Sequence, residues 1–203
     1  MNIIIHRGTH QIGGSAIEII TKSTRIILDF GNELSLDEKY IPINLDIDGV
    51  TKGMLDCDGI VISHYHMDHL GQLTSALPEI PLYMGELSKE VAMIATEHQD
   101  KDLYLRLLGA NTFRGGEAFT IGNIHIRPLV IYHSAVDSYM FVIEAEGKRV
   151  LYTGDFRMHG LRSHIVEKLV KTYIGEVDVL ITEGTLVSRG VNDGISEAAV
   201  LED

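Results

Sequence analysis

The densest group of chemically active side chains in this sequence is the segment Ser63-His64-Tyr65-His66-Met67-Asp68-His69-Leu70-Gly71, which directly follows the apolar run Gly59-Ile60-Val61-Ile62. In an extended chain residues i and i+2 face the same way, so His64 and His66 can present two imidazoles to one point. Asp68 and His69 come where the chain must turn towards a helix, and they can face that point from another side. Imidazole and carboxylate together suit zinc, manganese or iron. Four such groups so close together exceed what one tetrahedral ion normally uses, which points to two metals. His6, His10, His98, His125 and His164 stand alone and read as ordinary surface or core histidines.

The elements that must carry this cluster are legible from short Ile- and Val-rich runs separated by Gly, Asp and Asn. They predict strands at Ile3 to His6, Ala16 to Thr21, Arg25 to Asp29, Gly59 to Ser63, Pro81 to Met84, Ile124 to Leu129, Ser138 to Glu144, Arg149 to Tyr152 and Val177 to Thr182. Helical spacing predicts one helix over Ser88 to Leu108, with Ser88 as N-cap, and another over Leu161 to Lys171. Leu34 to Asp56 is a long polar connection, either functional or a plain surface excursion. After the turn Val191-Asn192-Asp193-Gly194, Ser196 and Glu197 read as a helix start. Strands early and late with helices between them describe a mixed α/β sandwich, and no fixed repeat suggests a solenoid.

A chain of 203 residues, 45% hydrophobic, suits one domain spanning 1–203. It holds no uninterrupted apolar run of about 18 residues and no basic head with an apolar stretch at Met1, so no membrane partner is expected and the cytoplasm is the expected location. The single cysteine, Cys57, cannot form an internal disulfide and reads as a small core residue. A formal charge of −12 argues against a general nucleic-acid-binding surface. It does not exclude a phosphate substrate, because bound dications add positive charge where the substrate anion must go.

Beyond the cluster, the sequence resembles the metallo-β-lactamase superfamily, and within it the β-CASP branch of RNA- and DNA-processing nucleases that includes ribonuclease J. The resemblance rests on Gly8-Thr9-His10-Gln11-Ile12-Gly13-Gly14-Ser15, Ile27-Leu28-Asp29-Phe30-Gly31, the His64 to His69 cluster, Tyr132-His133-Ser134-Ala135-Val136-Asp137-Ser138, Tyr152-Thr153-Gly154-Asp155-Phe156 and Leu180-Ile181-Thr182-Glu183-Gly184-Thr185. It implies a four-layer αββα sandwich, incomplete at its C-terminal end. It implies that His64, His66 and His133 hold a first metal, that Asp68 and His69 hold a second, and that Asp155 bridges the two. Zinc is the metal the resemblance favours, with manganese an alternative. Asp68 would also orient the nucleophile, and Asp29 would be a buried carboxylate that orients a ligand histidine. Read without the resemblance, Asp29 is an ordinary strand-end carboxylate and Asp155 a turn residue after Gly154.

Glu183 resembles the acidic motif that opens the branch's inserted nucleic-acid-binding domain, so 184–203 would be the start of that insertion. The family's last metal-ligating histidine has no counterpart after Glu183, and neither His159 nor His164 is assigned to that role. The leading functional expectation is metal-dependent phosphodiester cleavage, with RNA as partner, by a hydroxide that two metal ions activate. The 203 residues alone are expected to show little activity and to self-associate through an uncovered edge. Two alternatives remain: a small-molecule thioesterase or lactonase of the same fold, and a non-catalytic metal-binding or interaction module.

Overall fold

Strands buried on both faces read as continuous rather than alternating apolar runs, and Ile26-Ile27-Leu28 and Gly59-Ile60-Val61-Ile62 are of this kind. A computed structural model describes residues 1–35, 43–158, 160 and 163–185. Eleven strands form two sheets among these residues. The first sheet takes β1 (Asn2–Arg7), β2 (Ala16–Ile20), β3 (Arg25–Leu28), β4 (Gly59–Val61), β5 (Leu82–Gly85) and β6 (Asn111–Phe113) in sequence order. Its first three strands pair antiparallel, and β3 to β6 pair parallel. The second sheet takes β7 (Phe119–Ile121), β8 (Ile124–Ile131), β9 (Ser138–Ala145), β10 (Lys148–Tyr152) and β11 (Val179–Ile181) in the order β11-β10-β9-β8-β7, with only the β10–β11 pair parallel.

Strand alternation sorts the buried side chains into three apolar clusters, which define four layers. Ile26, Leu28 and Val61 point between the sheets and meet Phe141, Ile143 and Val150 of the second sheet. Ile27, Ile60 and Ile62 point the other way, against Leu103 and Leu107 of a helical layer. Met140, Val142 and Leu151 leave the second sheet on its outer side and pack on Val166 and Ile174. The architecture is thus helix, sheet, sheet, helix, with the site loops at one end of both sheets.

The helical layers depart from the sequence reading. Ser88 to Leu108 is two helices rather than one, α2 (Glu86–Thr96) and α3 (Lys101–Leu108), because Asp100 caps the second by accepting the N–H of Leu103 at 3.0 Å. Ser88 lies inside the first turn of α2, whose N-cap position is Gly85. The short α1 (Met67–Leu70) is the turn expected within the ligand cluster. α4 (Ser163–Leu169) runs into a π turn, Val170–Ile174. β6 and β7, three residues each, fall outside the strands that the sequence predicts. Within the expected polar connection 34–56, residues 36–42 lie outside the described residues. So do His159, the beginning of the helix expected from Leu161, the expected helix start at Ser196, and most of 184–203. No helix among the described residues is long and apolar enough to cross a membrane.

Candidate metal centre

The loops that follow β3, β4, β8 and β10 meet at one end of the sandwich. β3 and β4 are parallel neighbours in register Leu28↔Val61, so their exits place Asp29 beside Ser63. The carboxyl ends of parallel strands are where such sheets collect ligands. The Asp29 N–H donates to Val61 O at 2.9 Å, and Tyr139 N–H donates to Ser63 O at 3.0 Å, joining this corner to the second sheet.

The cluster loop is clamped by backbone bonds. Ser15 N–H donates to Asp68 O at 3.1 Å, Phe30 N–H to His69 O at 2.7 Å, and Asn32 N–H to Met67 O at 2.9 Å. This contact is close enough that a Cβ built on Gly31 would stand 1.6 Å from Asp68 O, so only glycine fits. Gly154, with φ of +54°, brings Asp155 to the site, and a Cβ there would lie 2.9 Å from Tyr139 O.

Ring nitrogens of three histidines converge. His64 Nε2 lies 3.1 Å from His66 Nδ1, and His133 Nε2 lies 3.3 Å from that same His66 nitrogen. Beside this group, His64, His69 and Asp155 form a second set with ligand atoms close enough for one ion, so His64 is common to both. Asp155 lies between them, with one oxygen 3.4 Å from His69 Nε2 and the other 4.0 Å from His133 Nε2. Asp68 approaches His69 Nε2 at 3.7 Å and belongs to neither tight set.

Asp29, fully buried, organises the rings from behind. Its Oδ1 accepts the N–H of Ser63 at 2.7 Å. Its Oδ2 accepts the Ser63 hydroxyl at 2.7 Å, His69 Nδ1 at 2.7 Å and the Tyr152 hydroxyl at 2.5 Å. These contacts determine the protons. With its own hydrogen given to Asp29, Ser63 Oγ accepts from His64 Nδ1, 3.0 Å away, and the His64 Nε2 lone pair faces the centre. Asp29 is therefore the shared acceptor of Ser63, His69 and Tyr152. Ser63 and Tyr152, its other partners, went unassigned in the sequence reading, and only their adjacency to the motif residues marks them.

The charges follow from burial. Burial and the neighbouring imidazoles push His64 far below the ordinary histidine range. Burial likewise lowers His66, and lowers His133 to about 4. His69 is the exception: burial opposes its charge, but Asp29 and Asp155 outweigh burial and raise it to about 10. Three imidazoles held neutral by burial, with ring nitrogens converging on one point, suit a cation in place of protons. Imidazole nitrogen with carboxylate oxygen is a donor set for zinc or another first-row divalent ion. Among the described residues His133 Nδ1 is buried without a partner, so that ring lacks the orienting bond His64 and His69 have.

Glu183 takes a supporting position, where its Oε1 accepts the N–H of Phe156 at 2.8 Å and holds the turn after Asp155. Asp137 belongs elsewhere, accepting Ser88 N–H at 3.0 Å and the Tyr139 hydroxyl at 2.5 Å, and so ties the start of α2 to β9. Of the histidines set aside, His6 pairs with the buried Glu18 at 2.5 Å. His10 lines a cleft of about 920 Å³ whose walls include Asp68, His69, Asp155 and Glu183.

A family profile described as a Beta-lactamase superfamily domain matches residues 44–194, most of the chain and all of the metal-centre motifs after Asp29. The chain belongs to this superfamily. Superfamily relatives of similar sequence include an endoribonuclease, ysh-1, of Neurospora crassa, 28% identical over 200 residues, covering 88% of this chain and 23% of the relative. An RNase J-like protein of Methanocaldococcus jannaschii is 28% identical over 189 residues, covering 89% of this chain and 41% of its own. This chain thus spans well under half the length of these relatives. The metallo-β-lactamase fold is shared with solved structures. A protein of unknown function from Enterococcus faecalis superposes with a TM-score of 0.82 at 20% identity, over 98% of this chain and 55% of the other. The metallo-beta-lactamase fold protein YhfI of Bacillus subtilis superposes with a TM-score of 0.59 at 17% identity, over 97% and 75%.

Proposed function

We propose that this chain is a metallo-β-lactamase-like domain of a metal-dependent phosphodiesterase whose substrate is RNA. The observation that carries the reading is the convergence of His64 Nε2, His66 Nδ1 and His133 Nε2 beside Asp155, which itself lines an open cleft. The ribonuclease names of relatives along most of this chain support RNA as the polymer. In this reading His64, His66 and His133 would hold one divalent ion, zinc or manganese, and Asp68 and His69 would hold another, with Asp155 serving both. Such ions supply Lewis acidity, which lowers the pKa of water and offsets charge on phosphoryl oxygens.

The chain's own residues do the positioning. Asp29 fixes the His69 ring through Nδ1 and, through the Ser63 hydroxyl, keeps the proton of His64 on Nδ1. Asp68 faces the cleft beside His69 and accepts a hydrogen bond from the attacking water, directing a lone pair at phosphorus. Glu183, by holding Phe156 N–H, keeps Asp155 from swinging away with its turn.

The test is metal analysis of dialysed protein with hydrolysis of labelled single-stranded RNA and of bis(p-nitrophenyl) phosphate, for the wild type and His66→Ala. Retained metal with slow, chelator-sensitive hydrolysis that the substitution abolishes is the expected result. Protein that retains no metal and cleaves neither substrate with zinc or manganese added overturns the proposal.

A further inference from the structure

Arg7, the last residue of β1, is a cation placed against the glycine turn instead of in solvent, its side chain 8% exposed. Nη2 donates to Ile43 O at 2.7 Å, and Nε faces Glu33 Oε1 at 3.3 Å. Nη1 is buried and has no hydrogen-bond partner among the described residues. Guanidinium stays charged, so a buried N–H left unpaired on it is unfavourable and calls for an acceptor.

The turn that Arg7 touches is the one that touches the metal centre. A Cβ built on Gly14 would lie 2.6 Å from Arg7 Cδ, and one on Gly13 would lie 2.9 Å from Asp68 Cβ. Arg7 and Asp68 therefore flank the two glycines and line the same cleft of about 920 Å³. Among the described residues lining it, Arg7 is the only arginine or lysine, against Asp68, Asp155 and Glu183. Gln11, which is exposed, also stands on the Arg7 side of Gly14. Its amide makes a long 3.4 Å bond to Gly13 O, so this exposed side chain is weakly held beside the turn.

We propose that Arg7 binds, through Nη1, a non-bridging oxygen of a phosphate next to the scissile one, so that the cleft along the glycine turn is the track of a single-stranded phosphodiester chain. This rests on the phosphodiesterase reading and deepens it. The held Nε and Nη2 pre-aim the remaining edge of the fork, which is how arginine recognises phosphate with geometric selectivity.

The experiment measures binding of a short fluorescein-labelled single-stranded RNA to the zinc-loaded full chain by anisotropy, between about 50 and 200 mM salt. Wild type is compared with Arg7→Met and Arg7→Lys, and thermal unfolding checks that each variant folds. Loss of one phosphate contact on a single strand should weaken binding about tenfold and flatten the slope of log affinity against log salt by about 0.7 for Arg7→Met. Arg7→Lys should keep the slope and lose affinity, because charge remains and the fork does not. If Arg7→Met does not fold, Arg7→Lys decides: weakened affinity at unchanged slope supports the contact, and wild-type affinity overturns it. A wild-type slope in Arg7→Met, or no RNA binding by wild type, also overturns it. An Arg7-dependent slope without hydrolysis of RNA or bis(p-nitrophenyl) phosphate sinks the phosphodiesterase reading alone. Hydrolysis with an Arg7-independent slope sinks this inference alone.

Discussion

Asp29→Asn isolates the charge of the buried carboxylate from its shape. Asp29 has φ of +54°, a region that asparagine tolerates better than most residues, so the backbone need not move. Asparagine in either orientation puts an NH2 group where an oxygen now accepts: against Ser63 N–H in one, or against three donors in the other. Removing one partner of a buried charged pair costs about 3–5 kcal/mol. The effect also depends on pH. His69 is raised from 6.5 to about 10 despite its burial, with Asp29 and Asp155 as the causes. A raised folded-state value means stability that is fully present below pH 6.5 and lost as pH rises through about 10. For His69 that loss is on the order of 5 kcal/mol. The substitution leaves only Asp155 to hold the charge, so much of this slope should vanish. Chelator-treated wild type and variant would be unfolded in guanidinium chloride at steps from pH 6 to 10, where other titrating groups are common to both and cancel. The expected gap is about 3–5 kcal/mol near pH 6.5, shrinking towards about 1–3 kcal/mol near pH 10 as His69 becomes neutral in both. A gap that stays constant across this range would refute the assignment of the His69 charge to Asp29.

Gly31→Ala forces a Cβ onto Asp68 O and should cost about 3 kcal/mol or more in guanidinium unfolding, with loss of retained metal; a cost under about 1 kcal/mol would mean the clamp yields easily. On the acid side, His133 is lowered by burial to about 4, so the unfolded chain binds more protons between pH 6.5 and 4. His133 alone should therefore cost metal-free protein on the order of 2 kcal/mol over that interval, with His64 and His66 adding loss of the same sign, and flat stability there would contradict it. Zinc titration of metal-free protein near pH 7 should show a tighter equivalent at the neutral His64, His66 and His133, then a weaker one that displaces the His69 proton. Calorimetry in buffers of different ionisation enthalpy counts that proton, and two equal equivalents without proton release would be the contrary result. Finally, among the described residues β11 is an edge strand with Val179 and Leu180 exposed, so light scattering should detect concentration-dependent association that Leu180→Lys abolishes; a strictly monomeric wild type would remove this expectation.

Much of this protein was legible because its signals are local. His64, His66, Asp68 and His69 adjoin one another in sequence, and the two-residue period of an extended chain aims two imidazoles together without help from the rest of the fold. The runs Ile26-Ile27-Leu28 and Gly59-Ile60-Val61 announced buried strands because only a strand covered on both faces needs unbroken apolar residues. Periodicity failed where local chemistry competed with it: the pattern across 88–108 continues through the point where Asp100 caps a new helix, and three-residue strands such as β6 and β7 are too short to have a period. The tertiary structure decided the partners. Asp29, Ser63 and Tyr152 come from three strand exits in two sheets, and only the parallel register of β3 and β4 and the packing of β10 against them put four donors on one carboxylate. It also placed Asp68 outside the two tightest ligand sets, set Glu183 to hold the turn after Asp155, and left one edge of the Arg7 guanidinium unpaired beside the glycine turn. Residue type and spacing specify which groups can bind a metal; which of them share a proton or a charge depends on distances between strands far apart in the chain, and those exist only once the sheets have packed.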